Sequence, residues 1–417
     1  MLYVKIKSII TGLLNNKILI KNFSLLAVLQ VFLLLSPLIT YPYLVQVLGK
    51  DCYGLIITAQ VVVSYFSLVI DFGTNGVCAK YVSINRDNKG VLSEIVCSIL
   101  SFKFFLFISS LFVYVIIILI IPEYRSHWFM FLFMYTLTFN ELLFPQYYFQ
   151  GLERMGIITF LNISFKLLFI LLVFVVIKDS SDYLYVPILY GIGHFIVGLI
   201  SLYIVFVKDN LKFYIPSHKT QLKYVRESGI IFSTDIITTI KDKLNYLLIG
   251  KYISMGDVVI YDLAIKINGL ISRPVNILAT VLFPGIAKDK NTARVKKSII
   301  LALIFVIFMV VIVNIFMNPI VYFFLHEHID VIPIRLFSLA PIFLSVSYML
   351  GYNFLLAFGH NKTLLYSIIF TTMVYLISIS VVFIFNIESC LYAFIAVALI
   401  SYLAELIYRA YKALMLI

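Results

Sequence analysis

The sequence predicts an all-α polytopic membrane protein of about twelve transmembrane helices in two six-helix lobes. Twelve apolar stretches, separated by short polar connectors, run from Phe23 to Tyr408. Each is long enough for a hydrocarbon core of ~30 Å, which takes roughly 20 apolar residues per helical crossing. Lipid offers the backbone no hydrogen-bond partners, so such stretches must be helices. Composition agrees: 62% of residues are hydrophobic, 12% are charged, and the mean hydropathy is +1.05, well away from soluble globular domains. The basic residues, finally, concentrate in every second connector.

In chain order, residues 1–22 place Leu2, Ile6, Ile9 and Leu13 on one helix face among lysines. This reads as an amphipathic surface helix on the cytoplasmic side, not as a signal peptide, because no small-residue cleavage site follows. Residues 23–207 form the first lobe. Crossing one (23–45) carries Pro37 and Pro42, and crossing two (54–79) a polar stripe of Gln60, Ser64, Ser67, Asp71, Thr74 and Cys78. Crossing three (94–120) contains Lys103, and crossing four (128–150) contains Glu141 and Pro145. On crossing five (157–177) Thr159, Asn162 and Lys166 share a face, and crossing six (186–207) closes the lobe. A basic cytoplasmic linker, 208–228, leads to the second lobe, 229–417.

Crossing seven (229–250) gathers Thr234, Asp235, Thr238, Lys241, Asp242 and Asn245 within an arc of roughly 120°. Lys243 points away from that arc, as a lysine that snorkels to the headgroups would. Crossing eight (258–284) is the most polar: Asp262, Lys266, Gly269, Arg273, Asn276 and Thr280 fall at i, i+4, i+7, i+11, i+14 and i+18 on one stripe. It also holds Pro274 and Pro284. Crossings nine (298–325, with Pro319), ten (334–357), eleven (363–385) and twelve (390–409, with Glu405) complete the chain. Each proline removes a helical hydrogen bond and marks an expected bend.

The net charge of +12 could indicate a nucleic-acid partner, but its distribution indicates a membrane. One alternating set of connectors, with the N-terminus and Arg409 and Lys412 at the other end, holds 21 of the 32 basic residues, and the other set holds five: Lys50, Arg125, Lys178, Lys251 and Arg335. The positive-inside rule then puts both termini in the cytoplasm. A faint duplication accompanies this. Tyr53 precedes Tyr261 by 208 positions at the start of the second helix of each half, and Gly151 precedes Gly359 by the same offset at the turn after the fourth. Six crossings separate the copies, so the halves share one orientation, as parallel transporter repeats do.

Charges within a bilayer cost ~2.5–3.5 kcal/mol each on insertion scales, so their placement is the best guide to chemistry. Asp262 and Lys266 can pair at i, i+4, which leaves Arg273 as the cation most available to an anionic substrate; all three could equally serve in structural ion pairs. Lys103, Glu141 and Glu405 stand more alone in the sequence; a lone buried charge is more often one half of a structural pair than a transport residue. Several chemistries are excluded. There is no GxxxxGK[ST] phosphate loop, no HExxH and no GxSxG, and His326, Glu327 and His328 read as exposed loop residues. No cofactor or metal is called for, and no enzyme activity is expected. The four cysteines lack metal spacing, and Cys52 and Cys390 both fall near the outer face with nothing to set their separation.

A family resemblance emerges from the first 160 residues. Ser36-Pro37-Leu38-Ile39-Thr40-Tyr41-Pro42-Tyr43-Leu44, then Val47-Leu48-Gly49, Tyr53-Gly54, Asp71-Phe72-Gly73 and Phe149-Gln150-Gly151-Leu152-Glu153-Arg154-Met155, resemble in order and spacing the Wzx-type polysaccharide flippases. These belong to the multidrug/oligosaccharidyl-lipid/polysaccharide (MOP) exporter superfamily, whose length, crossing number and paired halves match the whole chain. The resemblance implies two six-helix lobes around a central cavity that opens alternately inward and outward. It implies an undecaprenyl-diphosphate-linked oligosaccharide as substrate, moved across the bacterial inner membrane for O-antigen or capsule assembly, alongside membrane lipids and other assembly proteins. The expected cation contacts are Arg273, Lys266, Lys241, Lys166 and Lys103; the acidic Asp71, Glu141, Asp235 and Asp262 are the expected carriers of a coupling proton or sodium ion. Two alternatives stay open. A drug/cation antiporter of the same superfamily would favour a predominantly acidic cavity, and a membrane polysaccharide polymerase would want a long outer loop, which this sequence lacks.

Overall fold

A computed structural model describes residues 17–416; the predicted surface helix at 1–22 falls largely outside them. The described residues are predominantly helical, without a strand. Two compact units emerge. One comprises the chain up to Thr40 with Val63–Ser233, the other Tyr41–Val62 with the chain from Thr234.

Among the described residues, nine helices are long and apolar enough to cross a membrane, and the difference from twelve has local causes. Crossings one and two run as one helix, Lys17–Asp71, non-helical only at Gly49 (φ 77°). Crossing seven is a helix, Ser228–Tyr252, but its charges keep it off an apolar count. Crossing four is broken into Trp128–Met134, a 3₁₀ turn Tyr135–Thr138, Phe139–Leu143 and Gln146–Gly151. Proline explains the last break, since Pro145 cannot donate to the preceding turn and forces Phe144 into extended geometry (ψ 99°). Crossing ten, the fourth of its half, is broken as well, into Ile332–Phe337, Ala340–Met349 and the π-helical Leu350–Leu356.

Several prolines lie inside continuous helices. Pro274 and Pro284 lie inside the unbroken helix Met255–Asp289, and Pro37 and Pro42 inside Lys17–Asp71, which departs from helical geometry only at Gly49. Crossing nine breaks at Phe316, three residues before Pro319. Polar side chains set several starts. Asn88, Ser254 and Asn291 each accept a hydrogen bond from the backbone N–H three residues on, at 3.1, 3.0 and 3.1 Å, satisfying a donor that the helix itself leaves free. All four cysteines are free thiols.

Within the first unit, crossing six lies tightly against the broken crossing four. A Cβ added at Gly191 would sit 2.1 Å from Thr136 Oγ1, and one at Gly198 would sit 2.4 Å from Leu143 Cβ. Small residues allow such approach where no hydrophobic force drives helices together in lipid. Gly198→Val should therefore cost about 1–3 kcal/mol by overpacking, seen as a lower melting temperature of the purified protein; an unchanged melt would mean that Leu143 yields freely.

In the second unit, the segment Tyr41–Val62 packs on crossing eight. Tyr41 donates to the Val259 carbonyl at 2.8 Å, Lys50 pairs with Glu327 at 2.6 Å, and Gly54 accommodates the Met255 backbone so closely that a Cβ would lie 1.9 Å from its oxygen. Tyr53 and Tyr261, the duplicated tyrosines, are both buried. The duplicated glycines differ: Gly359 adopts φ +91°, whereas in the first half the left-handed residue of the turn is Glu153, two places beyond Gly151.

Candidate functional site

Three charge clusters form at membrane level, one in the first unit and two in the second. In the first unit, Lys103 is 2% exposed. Its Nζ donates to Asp71 Oδ1 at 3.0 Å and to the Glu141 backbone carbonyl at 3.1 Å, with the Tyr147 ring 5.9 Å away. Asp71 ends the long first helix, where Thr74 Oγ1 donates to its carbonyl at 2.8 Å and Asn75 Nδ2 to its carboxylate at 2.7 Å. The Glu141 carboxylate, on the short helix between the 3₁₀ turn and Pro145, accepts from Asn140 Nδ2 at 2.9 Å. Lys103 is thus one half of a structural pair with Asp71, the reading the sequence favours for a lone buried charge.

In the second unit Glu405 is paired in the same way. Lys241 Nζ lies 3.2 Å from Glu405 Oε2 and 3.8 Å from Asp242, and Arg409 Nη1 lies 2.7 Å from Glu405 Oε1. Ser347 donates to Glu405 at 3.1 Å, while Arg409 donates to Ser367 Oγ at 3.0 Å and to the Ser347 carbonyl at 3.1 Å. Gly351 leaves room for the guanidinium, whose Nη1 would lie 2.9 Å from a Cβ there. Arg409, counted from sequence among the connector cations, is therefore a buried member of this network, 7% exposed. Next to it Asn245 donates to Tyr261 Oη at 3.1 Å and to the Phe394 carbonyl at 3.2 Å, and accepts from Tyr375 Oη at 2.7 Å.

On crossing eight, Lys266 pairs with Asp262 and its ammonium lies 4.8 Å from the Tyr41 ring centre. Tyr246 Oη donates to the other Asp262 oxygen at 3.0 Å. Arg273, further along the same helix, is exposed and makes no ion pair among the described residues. Lys166 lies 5.5–5.8 Å from the ring centres of Phe165, Phe169 and Tyr190, a cation–π arrangement. Asp235 is half-buried on crossing seven.

Sequence periodicity located the polar faces of crossings two, seven and eight but missed Arg409, Ser347 and Tyr375. Nothing local marks these residues. The Glu405–Arg409 spacing of i, i+4 was the one available signal.

The FQGLER segment has a defined geometric role in the first unit. Arg154 Nη1 donates to Asp209 at 2.6 and 2.8 Å and Tyr148 Oη donates to the same carboxylate at 2.8 Å, tying the turn after crossing four to the end of crossing six.

Apolar helices stacked side by side, with buried charges compensated between them, define a multi-pass helical membrane protein. The sequence pattern of the family described as "Polysaccharide biosynthesis protein" matches residues 19–290, and the chain belongs to that family. It is similar to a "Putative O-antigen transporter" of Escherichia coli (strain K12), 24% identical over 290 residues, 69% of each chain. A protein of the same description from Shigella dysenteriae is 23% identical over 290 residues, 69% of this chain and 72% of the relative. Among solved structures, the lipid II flippase MurJ in an inward closed conformation aligns with a TM-score of 0.72 at 14% identity, covering 94% of this chain and 87% of that one. An inward-facing multidrug resistance MATE transporter of the MOP superfamily aligns at 0.70 and 16% identity, covering 91% and 94%. The chain thus shares the fold of these two structures, the fold that the sequence resemblance implies.

Proposed function

We propose that the protein is a flippase that moves an undecaprenyl-diphosphate-linked oligosaccharide, an O-antigen or capsule repeat unit, from the cytoplasmic to the periplasmic leaflet by ion-coupled alternating access. The observation that carries this reading is Arg273. It is an exposed cation that makes no ion pair among the described residues, whereas Lys103, Lys241 and Lys266 are each engaged by a carboxylate. A guanidinium held this way suits a diphosphate, which it can grip with two parallel hydrogen bonds. The family and the O-antigen transporter relatives support the same substrate class. Lys166 is a second contact for the glycan-lipid, and Asp71, Glu141, Asp235 and Asp262 are the carboxylates available for the coupling ion. In this reading the chain acts in the bacterial inner membrane beside other polysaccharide assembly proteins. Twelve crossings, in halves 23–207 and 229–417 joined by 208–228, return both termini to the cytoplasm.

Deleting the gene should abolish surface glycan while lipid-linked repeat units accumulate in the cytoplasmic leaflet, measured by protease-accessible labelling of spheroplasts and lipid extraction. Single repeat units displayed on the surface would mean that export was intact and would favour a polymerase. Topology is tested separately. Reporter fusions after Lys50, Lys178 and Lys251 should read outside, and those after Lys89, Lys219 and Lys290 inside; an inverted pattern would remove the proposed orientation.

A further inference from the structure

We propose that the connector after crossing six is a binding site for anionic phospholipid: Phe213, Tyr214 and Ile215 enter the boundary between headgroups and acyl chains, and Lys208, Lys212 and Lys219 hold headgroup phosphates. Only the choice of leaflet rests on the orientation given above. The sequence reads 208–228 as a plain linker, but the chain does not leave the bundle there. The Leu211 N–H donates back to the Val205 carbonyl at 3.3 Å, and the Leu211 side chain is buried. The Lys212 N–H then donates to Ser93 Oγ at 3.0 Å, and the Lys212 carbonyl accepts from the Cys97 thiol at 3.4 Å. Further on, Tyr224 Oη donates to Glu94 at 2.7 Å. The segment is therefore held against crossing three from both ends.

Crossing three sets its depth. The helix Lys89–Ile120 has 32 residues, about 48 Å at 1.5 Å per residue, whereas the hydrocarbon core spans ~30 Å and the whole bilayer ~40–45 Å. Its first two turns stand among headgroups. Ser93 and Cys97 lie about 6 and 12 Å from its start, which brings Lys212 to the level where headgroups give way to acyl chains.

What the segment presents at that level is apolar. Phe213 is 64% exposed, Ile215 is 77% exposed, and Tyr214 between them is exposed as well. Phe213 continues the lipid-facing side of crossing six, its ring edge-on to Phe206 with centres 5.5 Å apart, and Tyr203 and Val207 on the same helix are exposed. Aromatic and aliphatic side chains among lysines are the composition of an interfacial anchor. The charges around them are available: Lys208, Lys212 and Lys219 are exposed and form no ion pair among the described residues. Nearby carboxylates are engaged elsewhere, Asp209 by Arg154 and Tyr148, and Glu94 by Lys223 and Tyr224. Each lysine near an anionic surface strengthens binding on the order of fivefold. A nucleic acid or an acidic protein would meet the same charges but would leave three apolar side chains in water.

The test uses the purified full chain with Trp128→Phe and Phe213→Trp, so that its one tryptophan stands in the site. It is reconstituted in phosphatidylcholine with a fraction of either phosphatidylglycerol or phosphatidylcholine brominated near the headgroup, without lipid-linked oligosaccharide. Tryptophan quenching then reads phospholipid contact alone. Brominated phosphatidylglycerol should quench several-fold more effectively than brominated phosphatidylcholine, and the preference should fall to about one when Lys208→Gln, Lys212→Gln and Lys219→Gln are combined. High salt should shrink it without any substitution of a lysine, which keeps the test open if the combined variant inserts poorly. Quenching by neither lipid would place the segment in water and overturn the proposal. Equal quenching by both, or a preference that ignores the three lysines and salt, would overturn the anionic site. A reporter fusion after Lys219 that reads outside, with the preference intact, would reverse the orientation and leave the lipid site standing; one that reads inside, with no preference, would do the opposite.

Discussion

Arg273→Ala is expected to insert into the membrane at close to the wild-type level and yet fail to restore surface glycan to a deletion strain. The side chain is exposed and without an ion pair among the described residues, so its removal leaves no orphaned partner and should cost little stability. The diphosphate, by contrast, would lose a charge-assisted contact of about 1.5–3 kcal/mol, roughly ten- to a hundredfold in affinity. Arg273→Lys should restore glycan in part, because a point charge replaces a planar fork. Immunoblots of membranes and of surface glycan decide the matter. Full complementation by Arg273→Ala would eliminate it as a substrate contact, and loss of protein from the membrane would reassign it to structure.

The opposite balance is expected at Lys103. Removing the buried ammonium leaves the half-buried Asp71 without its cation, and breaking a buried pair from one side costs up to about 3–5 kcal/mol. Lys103→Ala should therefore reduce the folded protein in membranes sharply, as read by fluorescence size-exclusion of detergent extracts. The double variant Lys103→Ala with Asp71→Asn should recover much of it, since the stranded charge goes with its partner. No recovery would mean that the contact with the Glu141 carbonyl, and not the pairing with Asp71, is what Lys103 supplies.

These two residues illustrate what each kind of reading can reach. Neither Lys103, the lone cation of crossing three, nor Arg273, on the polar stripe of crossing eight, reveals its surroundings in the sequence. Their separation into a buried partner of Asp71 and an exposed guanidinium with no ion pair among the described residues appears only when helices are placed side by side. The broken crossings four and ten show the same division. Pro145 announced one break, but the 3₁₀ turn at Tyr135–Thr138 and the π-helical Leu350–Leu356 follow from packing, and Pro274 and Pro284 sit in an unbroken helix because neighbouring groups can re-satisfy the freed carbonyls.

The sequence by itself determined that the chain is a helical membrane protein, where most of its crossings lie, which faces of crossings two, seven and eight are polar, and which family it resembles. All of these depend on hydropathy and spacing within one helix, and so on residues a few positions apart. Only the tertiary structure decided which charges compensate one another. Lys103 meets Asp71 across 32 residues and Lys241 meets Glu405 across 164. Such pairings depend on the rotation and depth of two helices relative to each other, which neither helix encodes alone. They arise from the cost of leaving a charge unpaired in a bilayer, and that cost acts on the assembled bundle.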